Sequence, residues 1–361
     1  MADPDPPVPR KVAIFMAYLG HGYLGMQRNP NAKTIESDLE NALRLSSAIS
    51  PSAKLHKDNF SRCARTDKGV SAVGQVVSGL FSFADPSTLV ETLNTHLPPQ
   101  IRVFGVCIVP DFDAKKCCDQ RRYVYLLPLF ALDTFQHRDR ESVIGSGGVL
   151  RKCMECSERG RKKSIDAQIP IVPSASTCKI ASLSTQMERF NGILHRYVGL
   201  HNFHNMTTRI NPDDPAAVRH IISIDATIVI DIDGMQFIKC VIVGKSFMLH
   251  QIRKMIGLAV AIVRDCAPES LLYLALRQDV KINVPTAPEV GLYLEECMFT
   301  AYNHDTTMSM AAYSKQAEDF KFKYIYNHIA SMERRYGAVA LWLHSLNSRN
   351  YPDFNFQLPS N

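Results

Sequence analysis

The sequence has little of several features that mark particular classes of protein. It contains no run approaching the ~20 consecutive apolar residues that a helix needs to cross a bilayer, so we set membrane roles aside. It also lacks a glycine-rich loop of the kind that holds nucleotide phosphates. The opening MADPDPPVPR has neither the apolar core of a secretory signal nor the Arg- and Ser-rich pattern of an organellar presequence. We therefore expect a nuclear or cytosolic protein.

The ten cysteines do not have the spacing of a disulfide framework. Most stand alone, apart from the adjacent Cys117 and Cys118 and the pair Cys153 and Cys156, which indicates free thiols in a reducing compartment. The second pair has the spacing of half a zinc site, but no second Cys or His pair lies nearby in the sequence. We therefore interpret it as incidental and expect no metal site.

Length and charge leave room for a polyanionic partner. A chain of 361 residues is long enough for two packed domains, or for one double domain that shares a cleft between its halves. The hydrophobic share of 46% and the charged share of 21% are those of an ordinary globular protein. A formal net charge of +6 permits a nucleic-acid partner without requiring one.

Strand and helix patterns alternate through residues 1–112. Residues 11–18 predict a buried strand, and residues 33–46 predict a helix with one apolar face that Thr34 can cap. We assign this half the order βαββαβ. Its further strand, helix and strand are predicted at 73–83, 86–95 and 101–109.

The pattern recurs in residues 113–300, with strands predicted at 121–127, 219–231, 235–243 and 290–298 and helices at 182–197 and 247–264. The predicted fold class is α+β. Two pseudo-repeated split-βαβ, ferredoxin-like halves join into one mixed sheet around a central cleft that suits a long polyanion such as RNA.

Two segments depart from the repeat. Residues 136–178 carry glycines, prolines and the basic run RKCMECSERGRKK, which predict a flexible insertion. A solvated linker is the simplest interpretation, and an RNA-contacting arm or a nuclear localisation signal are the alternatives. Residues 301–361 predict a mainly helical C-terminal extension, which Trp342 packs down. The predicted domains are therefore 1–112, 113–300 and this extension.

The loop RCARTDKGVSA, at residues 62–72, is the most informative segment. Arg65 lies two residues before Asp67, and a nearby cation favours the ionised form of a carboxyl group. Gly69 permits a backbone turn that other residues resist. From these residues alone, a structural Asx-turn with a surface ion pair explains the loop as well as a catalytic role does.

The ARTDKGVSA stretch resembles the signature loop of the TruA-type pseudouridine synthases, and of their eukaryotic nuclear tRNA branch in particular. YLGMQRN resembles the family's first-strand motif, with Met26 where bacterial members carry tryptophan. RRYVY resembles the segment with the family's active-site tyrosine. Three further segments resemble the family's remaining signatures and follow in the same order: FHNMT at 203–207, SFMLHQIRKMIG at 246–257 and GLYL at 291–294.

The resemblance implies an isomerase that breaks the N-glycosidic bond of a uridine and rejoins the uracil through C5. This reaction needs an ionised carboxylate and no redox step, so we expect neither cofactor nor metal. It implies that Asp67 is this carboxylate, that Tyr123 stacks on the uracil and handles a proton, and that Arg253 pairs with Asp67 from the second half. Without the motifs, a core aromatic and an exposed helix cation are the better accounts of Tyr123 and Arg253.

The target base must leave its stack, so base flipping is implied, and Arg65 is placed to fill the vacated space. Lys and Arg contacts to phosphates would hold the RNA. The helix at 247–264 is expected to carry His250, Arg253, Lys254 and Gly257 on one face and to turn Met248, Ile252, Met255, Ala259 and Ile262 to the core. The candidate substrate-binding residues are Arg28, Arg65, Lys68, Arg121, His250 and Lys254.

The implied partners are tRNA and other structured RNAs, with no membrane and no small-molecule cofactor. The nucleus is the expected location, with the cytoplasm and the mitochondrion left open. The rival function is an RNA-binding or RNA-folding protein that keeps the scaffold without turnover; loss of Asp67, Tyr123 or Arg253 would mark it, and all three are present. Asp231 and Asp233 also suit a metal-dependent nuclease, but the Gly that follows makes a hairpin turn the simpler account.

Overall fold

A computed structural model of the protein describes residues 8–52, 55, 60–134, 136, 180–302 and 306–355. The predicted insertion at 136–178, apart from Gln136, and the pair Cys153 and Cys156 lie outside these ranges. None of the helices within them is long and apolar enough to cross a membrane.

Within these described ranges nine strands form one mixed sheet, which confirms the predicted fold class. They are β1 (Arg10–Tyr18), β2 (Phe60–Arg62), β3 (Ser71–Phe81), β4 (Ile101–Ile108), β5 (Gln120–Pro128), β6 (Gly199–Asn202), β7 (Val218–Ile232), β8 (Met235–Gly244) and β9 (Leu292–Met298). Their order in the sheet is β4-β1-β3-β9-β5-β8-β7-β6, and β2 pairs with β3 beside this path.

The α-helices of the described residues are α1 (Ile35–Leu45), α2 (Pro86–His96), α3 (Ala114–Cys117), α4 (Ile180–His195), α5 (Gln251–Val263), α6 (Ser270–Leu276), α7 (Ser314–Phe320), α8 (Asn327–Tyr336) and α9 (Ala338–Leu343). A π-helical segment, Lys321–Tyr326, follows α7. The predicted helical character of the C-terminal extension is therefore confirmed, and Trp342 within it is half-buried.

The first compact unit comprises residues 1–123 and 292–326. In it β1 lies antiparallel between β3 and β4, β2 is antiparallel to β3, and β9 is parallel to β3. Thr34 caps α1 through a capping box with Ser37, as the sequence predicts for the start of this helix. The strand β2 supplies the fourth strand of the order βαββαβ, which the apolar pattern alone did not locate.

The second compact unit comprises residues 124–291 and 327–361. Strands β6, β7 and β8 follow one another in antiparallel order. The turn between β7 and β8 has positive φ angles of 55° at Asp233 and 78° at Gly234, and Gly234 N donates to Asp231 Oδ1 at 2.8 Å. This geometry confirms the hairpin and accounts for both aspartates without a metal-dependent nuclease.

Both units are discontinuous in sequence, whereas the predicted domains 1–112, 113–300 and 301–361 are consecutive. The difference arises because β9, late in the chain, pairs in parallel with β3 and so belongs to the first unit. The helical extension also divides, with α7 in the first unit and α8 and α9 in the second.

Candidate active site

The Asp67 loop connects β2 to β3 in the first unit, and Asp67 is half-buried at its turn. Val70 N donates to Asp67 O at 3.1 Å, which closes the turn. Gly69 has a φ of +77°, a conformation that favours glycine, and its N–H donates to Tyr23 O at 3.2 Å. The backbone that carries the carboxylate is therefore held from both sides. The next side chain, Lys68, is exposed.

A buried polar network fixes the residues just before Asp67. The hydroxyls of Tyr18 and Thr66 lie 2.8 Å apart, and Gln75 Nε2 donates to the Tyr18 hydroxyl at 3.3 Å. The Gln75 amide also pairs with both backbone groups of Ala64, at 3.2 and 2.9 Å. Satisfied buried networks of this kind make a local structure rigid. We did not predict this network, although a glutamine inside the apolar run SAVGQVV was a signal for it.

The first-strand motif packs backbone to backbone against the Asp67 loop. Met26 N donates to Thr66 O at 3.2 Å. A Cβ atom on Gly25, whose φ is +109°, would lie 2.9 Å from the same oxygen. A Cβ on Gly20 would lie 2.3 Å from Val70 O, which is far inside van der Waals contact. The two motifs are therefore one structural piece that needs glycine at these positions.

Two buried glutamates on α1 form ion pairs with arginines around the loop. Glu40 accepts two hydrogen bonds from Arg28 Nη1, at 2.7 and 2.5 Å. Glu36 pairs with Arg62 Nε and accepts from the backbone N–H of Arg28 at 2.7 Å. Burial raises the pKa of Glu36, and Arg28, Arg62 and Arg65 oppose that rise. Arg28 therefore has a partner inside the protein, whereas Arg65 is exposed.

Tyr123 lies on β5 in the first unit and is 7% exposed. Burial raises the pKa of its hydroxyl, the charges of Cys297 and Asp67 raise it further, and Arg121 opposes the rise. The phenol is therefore protonated at neutral pH and lies within the electrostatic reach of Asp67. Arg121 Nε and Nη2 donate to Cys63 O at 3.0 and 2.7 Å, which clamps the start of the Asp67 loop.

Arg253 lies on α5 in the second unit and is half-buried. Its Nε donates to Ala287 O at 2.7 Å, and its Nη2 pairs with Glu289 Oε2 at 3.0 Å. Ala287 N returns a hydrogen bond to Arg253 O at 3.0 Å. The guanidinium is thus oriented by the segment that precedes β9.

The start of α5 differs from the prediction. His250 is half-buried with a left-handed φ of 62°, so the helix begins at Gln251 and not at residue 247. The predicted polar face is wrong at Lys254 and Gly257, because both are buried. Lys254 is 8% exposed, and its Nζ donates to two backbone carbonyls, those of Asn205 at 3.1 Å and Thr207 at 3.4 Å. This placement does not support a phosphate contact for Lys254.

The FHNMT segment has a structural task that we did not predict. The Asn205 side chain donates to Ala275 O at 3.1 Å and Val280 O at 2.8 Å, and accepts from Ile282 N at 2.9 Å. Together with the Lys254 contacts, these bonds join two of the predicted signatures inside the second unit. Distant backbone partners of this kind leave no pattern in the sequence.

Comparison with known proteins agrees with this arrangement of motifs. Residues 193–300 match the family described as tRNA pseudouridine synthase. The chain is 38% identical to "Pseudouridylate synthase 1 homolog" of Homo sapiens, over 94% of this chain and 74% of that protein. It is 37% identical to the protein of the same name from Mus musculus, over 97% and 77%. It is 35% identical to "tRNA pseudouridine synthase 1" of Saccharomyces cerevisiae, over 89% and 65%. The chain therefore belongs to the tRNA pseudouridine synthase family.

Proposed function

We propose that the protein converts uridine to pseudouridine in tRNA and that the Asp67 carboxylate is its reacting group. The observation that carries this proposal is the rigid turn of the Asp67 loop. Gln75 donates to Ala64 O and Gly69 N donates to Tyr23 O, while the hydroxyls of Tyr18 and Thr66 bond to each other, so the loop is fixed around a half-buried carboxylate. Preorganisation of this kind is what a catalytic group needs, and a surface Asx-turn does not need it.

The chemistry is an isomerisation, so the product has the same composition as the uridine, although the hydrogen at C5 is exchanged with water. The C1′–N1 bond of the uridine breaks, a C1′–C5 bond forms, C5 loses its hydrogen as a proton, and N1 gains a proton. Asp67 can serve this sequence by attacking C1′, by adding to the base or by removing a ribose proton. Each route uses the ionised carboxylate and none uses a redox step.

Tyr123 is the proposed partner of Asp67. Its ring offers a stacking surface for the uracil, and its raised pKa keeps a proton on the hydroxyl at neutral pH. It is therefore suited to donate a hydrogen bond to the detached base, because the raised pKa keeps the proton on the hydroxyl.

The other predicted residues divide into two sets. Lys68 and Arg65 are exposed beside Asp67, so we propose that Lys68 binds a phosphate and that Arg65 enters the stack that the flipped uridine leaves. Arg28 and Arg121 are bonded to Glu40 and Cys63, so we assign them to positioning of the loop. Any structured RNA that presents a flipped uridine offers the same chemistry, so we extend the proposal to such RNAs.

Two proposed residues lie in the second unit. The Arg253 guanidinium has five N–H donors, and its bonds to Ala287 and Glu289 leave others to bind an anionic group, so we propose it as a further catalytic residue. His250 is half-buried at the start of the same helix, and we keep it as a substrate-binding residue.

Tritium release tests the proposal. We would incubate the protein with tRNA transcripts that carry tritium at uridine C5, in the presence of EDTA, and count the tritium in water. The parent and Asp111→Asn, which changes an exposed carboxylate of the same unit, should release it at equal rates. Asp67→Asn should release none while it still binds tRNA, and Tyr123→Phe should be slower by about 10²–10⁴-fold.

A binding measurement on the same samples separates the rival function. Tight binding of tRNA by the parent without any tritium release would overturn the proposal and favour a non-catalytic RNA-binding protein. Equal release by the parent and Asp67→Asn would keep the enzyme but reject Asp67 as its reacting group.

A further inference from the structure

Arg253 has an acidic neighbour, Glu289, which none of the sequence motifs includes. Glu289 Oε2 accepts a hydrogen bond from Arg253 Nη2 at 3.0 Å, and both residues belong to the second unit. The Arg253 side chain is only 13% exposed, whereas that of Glu289 is 48% exposed. The pair therefore joins a guanidinium that is largely shielded from water to a carboxylate that water reaches.

The backbone that carries Glu289 is fixed by its neighbours in the second unit. Glu289 begins a single 3₁₀ turn that ends at Gly291, and just before it the Tyr125 hydroxyl donates to Pro288 O at 3.0 Å. A Cβ atom on Gly291 would lie 2.7 Å from Leu126 O, so the turn packs closely against β5. The carboxylate is therefore attached to a fixed support, which a group that orients another side chain needs.

Arg253 uses two different nitrogen atoms for its bonds to this segment. Its Nε donates to Ala287 O at 2.7 Å, and its Nη2 donates to Glu289. A single bond would leave the guanidinium plane free to turn about that bond, whereas two bonds from different nitrogens fix the direction of the plane. Both bonds lie on the edge that Nε and Nη2 share, so they turn the Nη1 end of the guanidinium to the opposite side.

A partly exposed ion pair also has a simpler interpretation, which is a surface contact of little consequence. Exposed pairs contribute little to folding stability, because water screens the charges. Arg277 and Asp279, in the same unit, form such a pair, and both side chains are exposed. The pair of Arg253 differs because its arginine is shielded and has a second anchor in Ala287 O.

We propose that Glu289 is a positioning residue for Arg253, and that its carboxylate directs the Nη1 end of the guanidinium toward an anionic group in the reaction. This inference rests on the proposed catalytic role of Arg253. Glu289 acts by accepting a hydrogen bond at a fixed place, and its negative charge is secondary. Its loss should therefore slow the reaction and leave the stability of the fold almost unchanged.

Three substitutions separate the reach of the side chain from its charge. Glu289→Gln keeps an acceptor oxygen at the same distance from the backbone and removes the charge. Glu289→Asp keeps the charge on a side chain that is one methylene shorter, and Glu289→Ala removes both the charge and the acceptor. If Glu289 positions Arg253, Glu289→Gln is the mildest of the three changes. If Glu289 acts through its charge alone, Glu289→Asp is the mildest.

Tritium release from tRNA labelled at uridine C5 measures the effect in the full chain. We expect kcat to fall by about 10- to 100-fold in Glu289→Ala and Glu289→Asp, with KM unchanged, and to stay within about 3-fold of the parent in Glu289→Gln. All three variants should keep the Tm of the parent, because the pair contributes little to stability. Asp279→Ala, which breaks the exposed pair with Arg277, is the matched control and should keep both kcat and Tm.

A second background shows whether Glu289 acts through Arg253. Arg253→Lys keeps the positive charge but replaces the planar fork of donors with one ammonium group, so it cannot keep both bonds. Glu289→Ala should then slow the parent but not Arg253→Lys, and single-turnover tritium release can measure both. Losses that multiply in the double variant would show that Glu289 acts independently of Arg253, and the inference would be wrong.

The remaining outcomes separate this inference from the proposed function. An active parent whose Glu289→Ala variant keeps its kcat would overturn the inference and leave the catalytic proposal standing. A faster Glu289→Asp than Glu289→Gln would also contradict it, because charge would then matter more than reach. A parent that releases no tritium would reject the proposed function and the inference with it. Full activity of Arg253→Lys would reject the catalytic role of Arg253, and Glu289 would then have nothing to position.

Discussion

At the scale of single residues, buried polar side chains do more to define the Asp67 loop than its charged ones. Gln75 has no exposed surface and uses both ends of its amide on Ala64, while its Nε2 also reaches Tyr18. A buried polar group costs about 1–3 kcal/mol if it loses its partner, so each member of this network keeps the others in place. The loop conformation thus depends on a core interaction.

Removal of one hydroxyl tests this dependence. Tyr18→Phe removes the partner of Thr66 Oγ1 and one of the two acceptors of Gln75 Nε2, so we expect the free energy of unfolding to fall by about 1–3 kcal/mol. We also expect a lower kcat with an unchanged KM, because Asp67, the proposed reacting carboxylate, is displaced. Urea unfolding and tritium-release kinetics measure the two effects.

Tyr197→Phe is the matched control. Its hydroxyl is also buried and donates to Met255 O at 3.3 Å, but it lies in the second unit. The free energy of unfolding of Tyr197→Phe should fall by a similar amount, and its kcat should stay the same. Equal losses of kcat in both variants would mean that stability alone, and not the Asp67 loop, explains the first result.

The burial of Lys254 leads to a prediction about how the free energy of unfolding depends on pH. Burial lowers the pKa of its ammonium group in the folded protein, whereas an exposed lysine has a pKa of about 10.4. Between the lowered folded value and the unfolded value, the unfolded chain binds more protons, so this residue makes the protein more stable as pH rises. Lys254→Met lacks this contribution.

The advantage of the parent over Lys254→Met in free energy of unfolding should therefore grow between neutral pH and about pH 10. Urea unfolding of both proteins at several pH values in this range measures it. An advantage that stays constant would show that the ammonium has an ordinary pKa in the folded state, which contradicts its burial against Asn205 O and Thr207 O.

At the scale of elements, the contact between the Asp67 loop and the segment that runs from Gly20 into the first-strand motif depends on glycine. A Cβ on Gly20 would lie 2.3 Å from Val70 O, so Gly20→Ala must push the two segments apart. A displacement of about 1 Å at a reacting group costs on the order of 10²-fold in rate, and we expect a loss of that order in kcat. Tritium-release kinetics check it.

Gly192→Ala in α4 is the control for this substitution, because nothing lies within 4 Å of its added Cβ. Alanine favours a helix over glycine by ~1 kcal/mol, so this variant should be at least as stable as the parent and equally active. Gly20→Ala with full activity would show that the loop tolerates a shift, and the rigid-turn argument would then fail.

The elements that the sequence predicted well are those whose burial follows a period. Strand β1 is buried without interruption from Val12 to Tyr18 and lies within one residue of its predicted bounds. Strands β2 and β6 have three and four residues and were not predicted, because strands this short are too short to show a periodic apolar pattern. Helix α5 begins later than predicted because His250 has a left-handed backbone conformation. The apolar pattern of the sequence continues through this residue and so does not reveal the break.

The same limit applies to the roles of charged residues. The motifs identified Asp67 and Tyr123 as candidates and assigned them to different halves, whereas the structure places both in the first unit. They also did not reveal which cations the fold itself uses. Arg28 donates a hydrogen bond to Glu40 on another element, and Lys254 donates to backbone carbonyls almost 50 positions away in the sequence. Such pairings are properties of the tertiary structure, since a lysine in the sequence looks the same whether it faces solvent or the core.

At the scale of the whole molecule, the chain has a net charge of +6, and we expect its affinity for RNA to depend on salt through the cations that contact phosphates. Each phosphate neutralised by a cation contributes about −0.7 to −0.9 to the slope of log K against log salt concentration. Only cations that reach the RNA count toward this slope. Lys68 is exposed and Lys254 is buried, so substitution of the two separates contact from mere charge.

We expect Lys68→Met to reduce the magnitude of the slope by about 0.7–0.9, with a loss of affinity that is similar for every tRNA. Lys254→Met removes the same formal charge and should leave the slope unchanged. Fluorescence titrations of labelled tRNA at a series of salt concentrations measure both. If the two variants lowered the slope equally, the slope would report net charge at a distance, and Lys68 would lose its proposed phosphate contact. A reduction in Lys68→Met alone means that the charged side chain next to the proposed reacting carboxylate, Asp67, binds the RNA backbone.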